Sequence, residues 1–385
     1  PELMEFSIND SIGSIYSALV ESGADVYCFS CYIWNIEIIL KAAELIKKAM
    51  PNIVIIFGGP ESGYNSDELL KKYNFIDTII RGEGEIIIGK VLELIQQGKR
   101  PNRFYQGECV DLNSLKFPYT TLDIENLKNK ILYFETSRGC PFRCAYCLSS
   151  ADSNGIRYFP MEYVKKGFKF FFDKKVPLVK LIDRTFNCDS KRAVEIVNYI
   201  IENSTVTKVH FEIEASILTD ELISVLNSAP KDMFQIEVGV QTINHEALTA
   251  VNRNYDLEKI RYNIRRLTEP KNIHIHLDLI AGLPFEDYNS FIKSFNFVYS
   301  MSPDMLQLGF LKVLKGTQVS ERFTSDIKYA EFPPYEVIST KWISASELLK
   351  LKKVENAVDM FYNSGKFFNS IRSISEKPPY DNNPY

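Results

Sequence analysis

Three of the seven cysteines fall within one short run, Gly139-Cys140-Pro141-Phe142-Arg143-Cys144-Ala145-Tyr146-Cys147. Thiolates spaced four and then three residues apart can wrap one compact metal centre. A structural zinc site wants four ligands, and the nearest other thiol, Cys188, belongs to a different loop. Three protein ligands on a cubane [4Fe–4S] cluster leave one iron open to a small molecule that chelates through an amine and a carboxylate. A zinc site and a purely electron-carrying cluster are the plainer alternatives.

Further polar groups cluster where apolar runs end. Phe211-Glu212-Ile213-Glu214-Ala215 sets two carboxylates on the same face of one strand. Buried acids are costly unless they accept hydrogen bonds. A bound ligand could supply those bonds, and so could an ion pair to Arg138, Arg157 or Lys180. Asp183 and Asn187 follow another run, where a plain Asx turn would look the same. Gln241 and Thr242 close a third, with Asn252 and Arg253 downstream, and an arginine there can clamp a carboxylate bidentately. Gly282 closes a fourth, where backbone can approach a ligand. His274 and His276 share one face of that same strand and suit core or substrate-lining roles better than metal ligation.

The elements that carry these groups form a regular series. Strands are expected at Ile131–Thr136, Leu178–Asp183, Lys208–Glu214, Phe234–Val240, Ile273–Ala281 and Met305–Leu311, with helix-spaced apolar residues between them. Six βα units suit an open doubly wound sheet or a partial (β/α) barrel, and both bind ligands at the C-terminal ends of their strands. The cysteine run occupies the first βα loop of the series.

The first hundred residues alternate in the same way. Apolar runs at Leu3–Ile8, Val26–Ser30, Ile53–Phe57 and Thr78–Ile80 each precede a helical pattern, which reads as a parallel sheet with helices on its faces. Phe57-Gly58-Gly59-Pro60 and Arg81-Gly82-Glu83-Gly84-Glu85 close two of these runs with turns that let a planar ligand approach the backbone. Cys28 is expected to point inward from its strand. Gln96–Lys130 loses the pattern and reads as a linker. Beyond Leu311 the strand rhythm stops, and Tyr335–Asn363 reads as helical.

The chain has 385 residues, about two and a half domains of about 150 residues. Its 45 basic and 49 acidic residues give a net charge of −4 with no dense basic track, which excludes a nucleic-acid partner held by phosphate contacts. No apolar run approaches the roughly 20 residues that span a bilayer. Seven cysteines with no secretion signal point to reduced thiols and a cytoplasmic location. Because the chain opens at Pro1, a missing N-terminus is expected, with the first sheet lacking its first strand.

The CxxxCxxC run, with an aromatic before its last cysteine and placed after a strand ending Glu135-Thr136-Ser137-Arg138-Gly139, resembles the radical S-adenosylmethionine (SAM) enzymes. Together with the Gly-Gly-Pro and Gly-Glu-Gly-Glu turns of the N-terminal half, it resembles the cobalamin-dependent members. The resemblance implies an α/β architecture: a doubly wound, Rossmann-like cobalamin-binding domain over 1–110, a linker over 111–130, a partial (β/α)6 radical SAM barrel over 131–311 and a small helical extension over 312–385. It implies a [4Fe–4S] cluster on Cys140, Cys144 and Cys147. S-adenosylmethionine is expected near Tyr146, Asp183, Asn187, Glu212, Glu214, Gln241, Arg253 and Gly282. Cobalamin is expected near Ser30, Tyr32, Gly58, Gly59, Gly82, Glu83 and Gly84, without a histidine ligand, because no histidine precedes His210.

The implied reaction is cleavage of S-adenosylmethionine to a 5′-deoxyadenosyl radical, followed by methylation or rearrangement of a small-molecule or natural-product substrate. An electron donor such as flavodoxin or ferredoxin is the implied partner. A methylthiotransferase-like enzyme and a non-enzymatic cobalamin or redox sensor are the alternatives. The first would need a second cluster, for which the N-terminal half lacks three suitably placed cysteines. No catalytic side chain can be named beyond these.

Overall fold

Short runs rich in aliphatic and aromatic residues form the strands of both halves, and amphipathic helices cover them. The computed structural model describes residues 2–127, 130–150 and 155–375. Its contacts divide the chain into one unit of Pro1–Ser114 with Ala330–Glu336 and a second of Leu115–Tyr329 with Val337–Tyr385.

In the first unit β1 (Val26–Ser30), β2 (Val54–Gly58), β3 (Thr78–Arg81) and β4 (Phe104–Gln106) form a parallel sheet in that order. Alternation sends Ile55, Phe57 and Ile79 to one face, where they pack with α1 (Ile12–Ser22), α2 (Ile36–Ala49) and Leu69. Ile56 and Ile80 point to the other face, against Val91 of α5 (Glu85–Gln96). Between β2 and β3 run two short helices, α3 (Pro60–Tyr64) and α4 (Ser66–Lys72). Leu3–Ile8 forms no strand, and Leu3 is 84% exposed, because nothing apolar covers it. The stretch read as a linker contains β4, a 3-10 turn at Leu112–Ser114 and α6 (Thr121–Asn126), whose start is fixed by a Thr120–Asp123 capping box.

In the second unit six parallel strands lie in the order β12 (Met305–Phe310), β11 (His274–Ala281), β10 (Phe234–Gln241), β9 (Lys208–Ile213), β8 (Leu178–Leu181) and β5 (Leu132–Phe134). A small antiparallel pair, β6 (Ser137–Arg138) with β7 (Arg157–Tyr158), stands at the exit of β5. The crossovers carry α7 (Met161–Asp173), α8 (Ser190–Asn203), α9 (Asp220–Asn227), α10 (His245–Ala250), α11 (Leu257–Thr268) and α12 (Tyr288–Tyr299). One face of the sheet is apolar, with Phe211, Ile236, Leu277 and Leu308 buried. The opposite face carries Lys180, His210, Glu212, Glu237, His276 and Asp278. At the two edges, single side chains bond the backbone: Tyr119 Oη bridges Tyr133 N at 3.0 Å and Tyr133 O at 2.8 Å, and the Asn363 amide bridges Leu306 N and Leu306 O, both at 3.0 Å.

The C-terminal region is not uniformly helical. After α13 (Gln318–Arg322), β13 (Ile327–Tyr329) and β14 (Val337–Thr340) pair antiparallel. Only then does α14 (Ala345–Ala357) begin, at a Ser344–Glu347 capping box, followed by a π-helical turn at Val358–Asn363 and α15 (Phe368–Ser375).

Candidate functional site

The cysteine loop is anchored at its base and at its middle. At the base, Asp183 at the end of β8 accepts from Thr136 N (2.7 Å), Thr136 Oγ1 (2.6 Å) and Ser137 Oγ (2.5 Å). Both carboxylate oxygens are used, and burial pushes the carboxyl up from the usual range against those three donors. Midway, the buried Ala145 donates its N–H to Val251 O and accepts from Val319 N, both at 2.9 Å. Asn252 Nδ2 adds a bond to Arg143 O at 3.1 Å.

The three thiols are partly buried, and burial lifts the pKa of Cys144. Among the described residues no three His, Cys, Asp or Glu side chains converge to hold a single metal ion. A cubane cluster does not ask for convergence, since each thiolate takes a different iron, and three soft donors on one braced loop suit it. The structure also brings in a thiol that the sequence left aside: burial, with Cys140 nearby, pushes the Cys188 thiol up to about 12.

Behind the loop, Arg253 joins three elements. Its guanidinium bonds the Tyr146 hydroxyl, Glu214 Oε2 at 3.2 Å and Gly239 O at 3.0 Å, and it lies over the Tyr255 ring. Glu214 thus pairs with Arg253 rather than with Arg138, Arg157 or Lys180, and its Oε1 also accepts from Ser216 N at 3.0 Å. Asn187 clamps the backbone of Glu214 through bonds of 2.9 Å to its N–H and its carbonyl. Gln241, buried with φ 69°, folds its amide back over Gly239, where a Cβ would lie 2.1 Å from Gln241 Nε2.

Gly282 has φ 87°, and the space a side chain would need there is filled by Val337, 2.8 Å from an ideal Cβ. Packing against β14 therefore requires this glycine.

Glu212 stands apart from this knot. It pairs in register with Glu237, and burial together with that neighbouring carboxylate pushes it up to about 7. Glu237 is held down to about 2 by His210, 3.2 Å away, with Lys180 at 3.5 Å. His276 Nε2 lies 3.1 Å from Asp278 Oδ1 on the next strand. The polar face of the sheet is thus a continuous row of ionisable groups, with Glu212 poised to exchange a proton near neutrality.

In the first unit a cavity of about 280 Å³ opens at the C-terminal ends of β1–β3, lined by Cys28, Phe29, Ser30, Gly58, Gly59, Gly82 and Gly84 among others. An ideal Cβ on Gly58 or Gly84 would meet nothing within 4 Å, so side chains there would project into open space that bare backbone leaves to a ligand. Gly59 is needed for a second reason. With φ 94°, its Cβ would fall 2.6 Å from Cys31 O.

Two expected residues do not line this cavity. Tyr32 stacks on Trp34 at 4.4 Å, and Glu83 Oε2 turns away to accept from Val110 N at 2.8 Å. Cys28 is exposed and lines the cavity instead of pointing into the core; Cys31 is the buried one. Alternation on β1 puts Tyr27 in the core and Cys28 on the opposite face.

Residues 134–298 match the radical SAM superfamily, residues 3–92 the B12 binding domain, and residues 324–383 a protein family of unknown function, DUF4080. A 2-(S-pantetheinyl)-carbapenam-3-carboxylate methyltransferase of Streptantibioticus cattleyicolor is 24% identical over 300 residues, 69% of this chain and 44% of that protein. The cobalamin-dependent radical SAM methyltransferase TokK of Streptomyces tokunonensis is 24% identical over 302 residues, with the same shares. The chain thus spans less than half the length of these curated relatives. The solved structure of the radical S-adenosylmethionine methyltransferase TsrM from Kitasatospora setae superposes with a TM-score of 0.69 at 14% identity, covering 85% of this chain and 72% of that one. The chain thus carries a region that matches the radical SAM superfamily behind a region that matches the B12 binding domain.

Proposed function

We propose that this chain is a cobalamin-dependent radical SAM enzyme that methylates or rearranges a small-molecule or natural-product substrate, with methyl transfer the favoured outcome. When bound, the cluster supplies the electron that cleaves S-adenosylmethionine to methionine and a 5′-deoxyadenosyl radical, and cobalamin supplies a methyl carrier. Cys140, Cys144 and Cys147 hold the cluster. Arg253 and Glu214 set the charge beside it, Asn187 and Gln241 shape the strand ends around S-adenosylmethionine, and Asp183 keeps the loop in place from behind. Ser30, Gly58, Gly59, Gly82 and Gly84 form the cobalamin cradle. The polar face with Glu212 at its centre receives the substrate and takes or returns protons there. The electron comes from a donor such as flavodoxin or ferredoxin in a reducing cytoplasm. No helix among the described residues is long and apolar enough to cross a membrane.

One observation carries the reading: the three-thiol loop is braced by Asp183 and Ala145 at the mouth of a parallel sheet whose strand ends bring carboxylates, an amide and an arginine to the same place. Anaerobic reconstitution with iron and sulfide tests it. The expected product is a brown protein that cleaves S-adenosylmethionine when reduced with dithionite. Cys140→Ala and Cys144→Ser lose both colour and cleavage, while Cys188→Ser keeps both. A colourless zinc protein, or cleavage that survives Cys140→Ala, refutes the assignment.

A further inference from the structure

The turn Ala330–Glu336, from the segment matching a family of unknown function, groups with the first unit. Bonds from Ala330 N to Glu336 O and from Tyr335 N to Phe332 O, both 2.9 Å, close it. Tyr335 sits in it at φ 59°, a left-handed conformation unfavourable for a bulky side chain, so the surroundings must hold it there. It is 5% exposed, and its hydroxyl donates to Oε1 of Glu61, itself 9% exposed. Burial and that carboxylate keep the phenol protonated, so the donor is permanent.

Glu61 stands in the first turn of α3, which follows directly on Gly58 and Gly59 of the cavity lining. Its N–H donates to Cys31 O at 3.2 Å, the carbonyl that a Cβ on Gly59 would strike. Cys31 N in turn donates to Gly58 O at 2.7 Å, and Ser62 Oγ to Gly59 O at 3.3 Å. A displaced Glu61 therefore displaces Gly58 and Gly59, whose bare backbone leaves the cavity open.

We propose that Tyr335 is a positioning residue of the cobalamin site: through Glu61 it holds the Gly58-Gly59-Pro60 turn in the shape that admits the corrinoid. The proposal rests on the reading of the first unit as a cobalamin-binding domain.

The test is titration of the full chain with hydroxocobalamin, followed by visible absorbance, beside thermal unfolding of the unliganded protein. Tyr335→Phe keeps the ring and removes only the hydroxyl. It should weaken binding by about tenfold and lower the melting temperature by no more than a few degrees, since the buried bond to Glu61 is lost from the unliganded protein as well. Adding Glu61→Gln to Tyr335→Phe should weaken binding no further, because both act through one bond. Phe332→Ser, at the exposed tip, should leave binding within about threefold of the unsubstituted chain.

Tyr335→Phe binding as tightly as the unsubstituted chain, multiplying effects in the double variant, or an equal loss in Phe332→Ser each overturn the role of Tyr335 while leaving the domain assignment standing. Failure of the unsubstituted chain to bind hydroxocobalamin overturns both.

Discussion

Glu286 should make the second unit less stable as pH rises, and Glu286→Gln should remove that dependence. The side chain is 0% exposed in the loop after β11, where Oε1 accepts from Thr242 Oγ1 and from Ser294 Oγ at 3.2 Å while Oε2 has no hydrogen-bond partner. Burial pushes its carboxyl up to about 8, against 4.5 for an ordinary glutamate.

The folded chain keeps the proton over an interval in which the unfolded chain has released it. The contribution is therefore fully present below pH 4.5 and is lost as pH climbs through 8. The loss is about 1.4 kcal/mol per pH unit, hence about 5 kcal/mol across the interval. Glutamine imitates the protonated acid and still accepts from Thr242 and Ser294, so the variant should overtake the unsubstituted chain as pH rises.

Trp342 packs on Phe285 with ring centroids 4.6 Å apart and planes tilted by 38°, and in a Trp34→Phe background it offers a local fluorescence signal. Denaturant titrations of both proteins, followed at Trp342 between pH 5 and pH 9 (about the span of the two pKa values), measure the difference. A stability gap that does not change with pH would falsify the assignment of a buried neutral carboxyl.

Two further substitutions probe the sites themselves. Asp183→Ala leaves three buried donors on Thr136 and Ser137 without an acceptor and should cost about 3–5 kcal/mol together with iron loading. Asp183→Asn, whose oxygen still accepts from Thr136 N while the hydroxyls turn to accept from its amide, should recover most of both, and equal losses in the two variants would count against the brace. Gly59→Ala drives a Cβ to 2.6 Å from Cys31 O at φ 94° and should cost at least about 2 kcal/mol and reduce hydroxocobalamin binding, whereas Gly84→Ala, with nothing within 4 Å, should reduce binding with little change in unfolding.

The cysteine loop and six-unit sheet were legible because they are local patterns: ligand spacing in one run, and apolar periodicity in each strand. Strand-end residues such as Glu214, Asn187 and Arg253 were legible as a group, but their partners were not. That Arg253 bonds the Tyr146 side chain, or that Gly282 is required by Val337, depends on residues distant in sequence meeting in space. β4 escaped notice because an edge strand of three residues with two exposed side chains needs little apolar signal. Cys28 was expected to alternate inward, yet the phase of β1 puts Tyr27 in the core and Cys28 on the face that bears the cavity. The late start of α14 carried a readable sign, Ser344 three residues before Glu347, which outweighs the apolar Trp342 and Ile343 ahead of it.

The open six-stranded sheet ends on two strands whose outer backbone groups are natural templates for a strand from another molecule. Tyr119 and Asn363 each occupy the N–H and carbonyl of one residue on those edges, Tyr133 on β5 and Leu306 on β12. Both guards lie outside residues 131–311. A fragment trimmed to those limits keeps every strand and all three clustered cysteines but bares both borders, so it should pair edge to edge and precipitate where the longer chain stays dispersed.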